Sequence, residues 1–172
     1  MVELGLLHED DRIELIGGDL VEMSPKGNRH TLIEARLFRH WSRVAPDTLE
    51  ILSEPTFRLS ADTYLEPDLL VFARSTGIAG LTGTTALLVV EIGHSSLGFD
   101  LGRKAPIYAS FGIRELWVVD AVTLTTHVHR EPGPEGYREI AAIGPEAMVV
   151  PGFEGGEVFG VRLGDLGVGV GE

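Results

Sequence analysis

The order of apolar and polar residues along the chain predicts a mixed sheet. Short apolar runs bounded by Gly, Pro, Asn, Asp or Ser are typical of strands. Such runs cover residues 12–22 (two strands around a Gly-Gly turn), 49–59 (interrupted by Glu54-Pro55), 69–72, 87–92, 113–120, 124–130, 137–143 and, more briefly, 158–163. In the first of them Ile13 and Leu15 alternate with polar neighbours. The run at 87–92 is apolar on both faces, which predicts a strand in the middle of the sheet.

One stretch after the first strands has the spacing of an amphipathic helix. Its apolar residues are separated by four, four and three positions; they are Ile33, Leu37, Trp41 and Val44. Phe38 widens this stripe. The pattern therefore predicts a helix from about residue 29 to residue 44, with one apolar face toward the sheet.

A second helix is predicted after a loop at residues 93–102. Gly112 is well placed as its C′ residue, so the helix ends near Phe111. Pro106 indicates that it starts late or is kinked, because proline is tolerated only in the first turn. The strand, helix, strand order from 87 to 120 predicts a crossover between parallel strands, and 124–143 predicts a hairpin. The fold class is α/β or α+β, with two main helices on a mixed sheet.

Length and composition indicate one globular domain over residues 1–172. The chain is 44% apolar and 23% charged, which is ordinary for a protein with a proper core. It has no cysteine, which excludes disulfides, thiolate zinc sites and cysteine nucleophiles. No apolar stretch approaches the roughly 20 residues that span a membrane, and the acidic N-terminus has no signal pattern. We expect a cytoplasmic protein with no membrane association.

Two carboxylates lie at the ends of apolar runs. Asp68 follows Pro67 and precedes the run at 69–72, and Glu91 closes the run at 86–90. If these strands are antiparallel neighbours, the two acids meet at one edge of the sheet. A buried carboxylate is costly unless it is paired, and two together form an oxygen-rich site suited to Mg²⁺ or Mn²⁺. The alternative is two surface acids at strand ends.

Lys104 is one of only two lysines in the chain and follows Asp100 by four residues. A helix places residues at this spacing on one face. A lysine near two metal-binding acids suggests phosphodiester hydrolysis, in which it would orient a water or stabilise developing negative charge. The alternative is a surface ion pair of little energy.

Four further residues are candidates for substrate contact or for the outer part of the site. Tyr108 lies one turn after Lys104 and could stack on or donate to a substrate. His30 and Glu34 share one face of the first helix, and either could complete a metal shell. His94 follows Glu91 closely and could contact a water or a phosphate. Each residue also has an ordinary interpretation. Tyr108 would be a tyrosine half in the core, His30 and Glu34 would be residues of the helix surface, and His94 would be a loop histidine.

The net charge of −12 argues against nucleic acid binding, because phosphate contacts supply much of that affinity. The basic residues are unevenly placed, however. Five of them fall within residues 26–43: Lys26, Arg29, Arg36, Arg39 and Arg43. Three of these arginines, at 36, 39 and 43, are candidates for contact with a nucleic acid strand. The alternative is a solvated helix face.

Several segments together carry a resemblance to a known family. They are residues 13–25, His30, 66–68, 88–92, 100–104, Tyr108 and 112–120, of which the Tyr, Gly and Glu-Leu-Trp-Val-Val-Asp pattern at the end is the most specific. At these residues the chain resembles the Uma2 family, a set of proteins regarded as endonucleases with the PD-(D/E)xK, restriction-endonuclease-like fold.

The resemblance implies a restriction-endonuclease-like core with flanking helices and an extra β-hairpin. It implies that Asp68, Glu91 and the Ile92 carbonyl bind Mg²⁺ or Mn²⁺, that DNA is the substrate, and that a homodimer is an expected assembly. The superfamily's usual lysine would fall at Gly93, and Lys104 matches the lysine that stands in for it in Uma2-like sequences.

Two other functions compete with a metal-dependent DNA endonuclease. A non-catalytic protein of the same fold, acting as a binding or interaction module, is favoured by the acidic charge and by Gly93. A metal-dependent hydrolase for a small phosphoester would tolerate the acidic surface better than duplex DNA binding does.

Overall fold

The computed structural model describes residues 12–169, whose strands form two sheets. The six-stranded sheet has the order β10-β9-β8-β7-β6-β3, and the four-stranded sheet has the order β2-β1-β5-β4. The strands are β1 (Ile13–Ile16), β2 (Asp19–Glu22), β3 (Leu49–Ser53), β4 (Phe57–Arg58), β5 (Tyr64–Leu65), β6 (Leu69–Ala73), β7 (Ala86–Gly93), β8 (Glu115–Asp120), β9 (Thr126–Gly133) and β10 (Gly136–Ile143).

The large sheet matches the main sequence predictions. β7 lies inside it between β6 and β8, pairs with β6 in antiparallel register and with β8 in parallel register. The parallel crossover and the β9–β10 hairpin are therefore confirmed. All other pairs are antiparallel. Because β7 is covered on both faces, almost all its residues are buried, which is why its sequence is a continuous apolar run.

Each face of the large sheet carries its own apolar cluster. Helix α1 (Asn28–Val44) packs on one face through Ile33, Leu37 and Trp41, against alternate residues such as Leu88 and Val90. On the other face, α3 (Ala105–Ser110) and the small sheet pack on the intervening residues. The predicted apolar stripe of α1 is confirmed except at its end. Val44, the last residue of the helix, is 40% exposed.

The segment predicted as a loop at 93–102 is mostly helical, which corrects that prediction. α2 (Leu97–Phe99) leads into a π-helical turn (Asp100–Lys104) and then α3. Pro106 lies in the first turn of α3, as predicted for a late start. π-helical turns are rare and occur frequently at functional sites; the apolar periodicity expected of an ordinary helix is interrupted by this turn, so the sequence pattern did not reveal it.

Two other predictions need correction. In β1 the buried residues are Glu14 and Ile16, whereas Ile13 and Leu15 are half-buried, because the small sheet turns its polar position inward. The strand predicted at 158–163 is a 3₁₀ turn (Gly156–Phe159) followed by an isolated bridge between Val149 and Val161. Within residues 12–169 we find no helix of the length and apolar character needed to cross a membrane.

Candidate functional site

The candidate site is a cleft at the end of the large sheet where β6 begins and β7 finishes. Leu69 is paired with Val90, so antiparallel register places the preceding Asp68 beside the following Glu91. Both carboxylates are buried, at 3% and 4% exposure. The Asp68 Oδ2 atom accepts a hydrogen bond of 2.6 Å from the Ile92 N–H. The two acids are therefore not surface residues at strand ends.

Asp68 is held from the α1 side. His30 Nε2 lies 3.0 Å from Asp68 Oδ2, and Lys26 Nζ lies 2.6 Å from Asp68 Oδ1. Burial alone would raise the pKa of Asp68, but His30 and Lys26 outweigh it and lower that pKa. Asp68 is therefore an ionised carboxylate within a shell of donors.

Glu91 is held from the opposite side, by the helical segment that follows it. The Tyr108 hydroxyl donates to Glu91 Oε1 at 2.6 Å, and Lys104 Nζ donates to the same oxygen at 3.2 Å. Burial raises the pKa of Glu91 well above its ordinary value, even though Lys104 acts in the opposite direction. Burial and the neighbouring Glu91 charge likewise raise the pKa of Tyr108, so its hydroxyl remains a donor.

Lys104 is surrounded by acids. Its ammonium lies 2.8 Å from Glu14 Oε1, 3.2 Å from Glu91 and 3.8 Å from Asp100 Oδ1. Burial would lower the pKa of Lys104, but these three carboxylates outweigh it and raise the pKa. The Asp100–Lys104 pair is buried, at 3% and 4% exposure, so the alternative of a surface ion pair is wrong.

Lys26 forms a second cationic position on the other side of the cleft. Its ammonium contacts Asp68, Glu34 Oε2 at 3.1 Å and Glu54 Oε1. Glu34 is fixed by its other oxygen, which accepts from the Ser53 hydroxyl at 2.8 Å. Burial would lower the pKa of Lys26, but Asp68 and the two glutamates raise it to about 12. The ammonium therefore stays charged at neutral pH.

Gly93 has a steric explanation. A Cβ atom at this position would lie 2.7 Å from Leu97 Cα and 3.0 Å from Asp100 Oδ2. The start of α2 thus occupies the space of a side chain at residue 93. A lysine cannot extend from here, and the ammonium beside Glu91 comes from the π-helical turn instead.

One group of side chains has the geometry of a metal-binding set. The ligand atoms of His30, Glu34 and Asp68 all lie within 4.8 Å of one another. Among residues 12–169, His30 Nδ1 is one of three buried side-chain nitrogen or oxygen atoms that lack a hydrogen-bond partner. The carboxylate oxygens suit Mg²⁺ or Mn²⁺, and the imidazole is a ligand for divalent transition-metal ions. The residues present therefore fit a divalent cation.

The structure brings most of the predicted site residues into one cleft. Its lining includes Asp68, Glu91, Ile92, Lys104, His30 and His94. Glu34 and Tyr108 lie just behind this lining: Glu34 accepts a hydrogen bond from Lys26, and Tyr108 donates one to Glu91. His94 is exposed at the rim.

The sequence pattern does not identify three residues of the site. It predicts Glu14 on the polar side of an amphipathic strand, Lys26 within a basic stripe, and Asp100 only as a helix neighbour of Lys104. The clearest available signal was that the chain has twelve arginines but only two lysines, and both lysines lie here.

The basic stripe is largely taken up by internal contacts. Arg29 donates to the carbonyls of Ala121 and Gly169, and Arg36 donates to the Leu166 carbonyl at 2.6 Å. These two arginines fasten the C-terminal segment to α1, so Arg36 is not the free strand-contact residue that was predicted. Arg39 and Arg43 remain exposed.

Comparisons with known proteins agree with this architecture. The model of the Uma2 family, described as a putative restriction endonuclease, matches residues 2–160. The chain is also similar to the crystal structure of a putative nuclease belonging to DUF820 from Anabaena variabilis ATCC 29413, with a TM-score of 0.74 and 20% sequence identity over 95% of this chain and 94% of that chain. At that identity the likeness shows the fold alone, and it confirms the predicted α+β nuclease fold. A search of curated proteins found no match.

Proposed function

The chain belongs to the Uma2 family, and on that premise we propose that it is a metal-dependent endonuclease acting on DNA as one domain. The observation that carries the proposal is the meeting of two buried carboxylates, Asp68 and Glu91, with a buried lysine at the edge of the sheet. Buried charges are expensive, and their concentration in one cleft is typical of a functional site.

Asp68, Glu91 and the Ile92 carbonyl would hold Mg²⁺ or Mn²⁺. In an extended strand the N–H and C=O of one residue point to the same side, and the Ile92 N–H points at Asp68. The hydrogen bonds that Glu91 accepts from Lys104 and Tyr108 both go to Oε1, so Oε2 is not used by either donor. A bound ion would polarise the phosphodiester and lower the pKa of a water.

Lys104 supplies positive charge rather than basicity. Because the surrounding acids raise its pKa, it stays protonated and does not accept a proton from water. Its role is to position the attacking water and to stabilise negative charge as it develops on the phosphate, which is worth most where water is excluded. Glu14 and Asp100 hold the ammonium in place.

The other candidates act around this centre. His30 fixes the carboxylate of Asp68, and Glu34 offers a further acid from α1. Tyr108 fixes Glu91 by donating to it. His94, exposed at the rim, is placed to meet a substrate phosphate. A homodimer would let two such sites cut the two strands of a duplex.

A small phosphodiester is the second candidate substrate. The net charge of −12 disfavours a long polyanion, and both lysines of the chain are already paired with carboxylates. A low-molecular-weight substrate needs fewer basic contacts than duplex DNA does.

A cleavage assay tests the proposal. Supercoiled plasmid, single-stranded DNA and bis(p-nitrophenyl) phosphate are incubated at low salt with Mg²⁺ or Mn²⁺. The native protein is compared with Asp68→Ala/Glu91→Ala and with the control Glu50→Ala. Glu50 lies on β3 outside the cleft and pairs with Arg74. We expect plasmid cleavage by the native and control proteins alone.

Other outcomes have defined meanings. Hydrolysis of the small ester without plasmid cleavage would identify the second candidate. No hydrolysis, with no rise in melting temperature on adding Mn²⁺, would contradict an enzyme and favour a binding module of the same fold. Equal cleavage by the double variant would mean a contaminating nuclease or a different site.

A further inference from the structure

The two lysines of the chain occupy opposite sides of one acidic cleft. The chain's other permanently cationic side chains are twelve arginines. Lysine differs from arginine in being a compact point charge on a flexible stem. Both lysines of the chain therefore place a compact charge on a flexible stem in this cleft. Lys104 has a role in the proposed reaction, whereas Lys26 does not.

Lys26 contacts Asp68, one of the proposed metal ligands, and Glu34, the further acid beside it. Its ammonium contacts Asp68 Oδ1 at 2.6 Å and Glu34 Oε2 at 3.1 Å. These two acids, with His30, are the side chains whose ligand atoms lie within 4.8 Å of one another. The divalent ion proposed above would take an oxygen of Asp68, and Glu34 is the further acid beside it, so the ion would compete for oxygens that now hold the ammonium.

The surroundings of Lys26 leave space for its side chain to move. This side chain lines both the cleft of the candidate site and an adjoining groove along α1. That groove is also lined by Arg39 and Arg43, the two arginines of the stripe that remain exposed. The third partner of Lys26, Glu54, is half exposed on this side.

We propose that Lys26 is a resident cation of the site, displaced by the divalent ion and then free to contact a nucleic acid phosphate. With no metal bound, its ammonium neutralises Asp68 and Glu34 and keeps the acidic cleft stable. When a metal takes those oxygens, the ammonium turns toward the groove that Arg39 and Arg43 line. This inference rests on the proposed function, since it assumes that the cleft binds a divalent ion.

Two substitutions distinguish displacement of Lys26 by the metal ion from the general effect of removing a positive charge near the cleft. Lys26→Met removes the competing charge and keeps a long side chain, whereas the control Arg12→Met removes a charge from the same cleft that pairs with Glu54 at 3.7 Å. Mn²⁺ affinity is measured by calorimetry without substrate. We expect Lys26→Met to bind Mn²⁺ at least tenfold more tightly than the native protein, and Arg12→Met to bind it within threefold.

Chemical labelling of the native protein gives a second readout that does not depend on a variant folding. With two lysines in the chain, an amine-reactive reagent followed by mass spectrometry reports on each separately. The Lys26 side chain is only 15% exposed. Adding Mn²⁺ should raise its labelling rate several-fold, with a smaller change at Lys104, and adding a DNA duplex should reduce it again.

The outcomes distinguish this inference from the proposed function. If the native protein binds Mn²⁺, Asp68→Asn abolishes binding, and Lys26→Met binds no more tightly with unchanged Lys26 labelling, then Lys26 is a structural cation and only this inference fails. If neither the native protein nor Lys26→Met binds Mn²⁺, both proposals fail. Binding by Lys26→Met alone would support displacement in its strongest form.

Discussion

At the scale of single residues, the site depends on buried charges that the pattern of the sequence conceals. Asp68 and Glu91 were predicted because each lies at the end of an apolar run. Glu14 was missed because a glutamate between Ile13 and Leu15 normally marks the solvent side of a strand. In the structure it is 1% exposed and accepts from Lys104 and from the Glu66 N–H. Tertiary pairing thus reversed the face that local alternation predicted.

Glu14 should be essential for stability. Glu14→Ala leaves Lys104 and the Glu66 N–H without this acceptor, and breaking a buried pair costs about 3–5 kcal/mol. Glu14→Gln keeps an acceptor for the N–H and should lose less. The control Glu50→Ala removes a more exposed partner of Arg74 and should cost no more than about 1 kcal/mol. Urea denaturation measures all three; equal losses at residues 14 and 50 would contradict the buried pairing.

Gly93 should not accept the lysine of the wider superfamily. Because a Cβ here would meet Leu97 and Asp100, we expect Gly93→Ala to lower the free energy of unfolding by about 1–3 kcal/mol. The double variant Gly93→Lys/Lys104→Met should not regain the cleavage lost in Lys104→Met. Gly98→Ala is a matched control, since no atom lies within 4 Å of its added Cβ. Restored cleavage in the double variant would mean that α2 moves aside.

At the scale of elements, periodicity predicted strands and α1 well, and failed where partners are distant in sequence. The stripe of α1 identified Trp41 as a core residue, but not its partners. Trp41 donates to the Phe159 carbonyl at 2.8 Å and packs edge to face on Trp117 and Phe159. The C-terminal segment that supplies Phe159 has mostly 3₁₀ turns, which leave no periodic signal.

Trp41 should contribute far more stability than the last residue of the same stripe. Trp41→Ala removes a fully buried ring and its hydrogen bond, with an expected loss of about 3–5 kcal/mol. Val44→Ala, at a position that is 40% exposed, should change stability by less than about 0.5 kcal/mol. Thermal or urea unfolding compares the two. A large effect at Val44 would mean that its side chain is packed in the core, as the periodicity predicts, and would contradict its exposure.

The β9–β10 hairpin carries a pH-dependent element away from the site. Burial lowers the pKa of His129, which packs edge to face on Tyr137. The unfolded chain therefore takes up a proton at higher pH than the folded one does. Stability that His129 gives at neutral pH is lost as pH falls through its ordinary value near 6.5. Between pH 7.5 and 5.5, the native protein should lose more unfolding free energy than His129→Phe does; equal losses would contradict this.

At the scale of the whole molecule, the resemblance and the structure agree on fold, and charge limits how nucleic acid can bind. The net charge of −12 was read from the sequence. Which cations are free to contact phosphate could not be read from it, because Arg29 and Arg36 donate to the Gly169 and Leu166 carbonyls of the C-terminal segment. Contacts across 90 or more positions of sequence leave no local pattern, so composition alone overestimates the basic surface of α1.

Duplex binding should therefore depend weakly on salt. With Arg39 and Arg43 as the phosphate contacts, the slope of log K against log salt should be about −2, since each contact contributes about −0.9. Fluorescence anisotropy measures it with Asp68→Asn and no divalent ion; we expect this variant to bind without cutting and its Lys26 to stay paired with Glu34 and Glu54. Arg39→Gln/Arg43→Gln should reduce the slope by about 2, whereas Arg138→Gln, exposed on β10, should leave it unchanged. A native slope near −8 would require a second basic face and would move the nucleic acid away from the groove along α1.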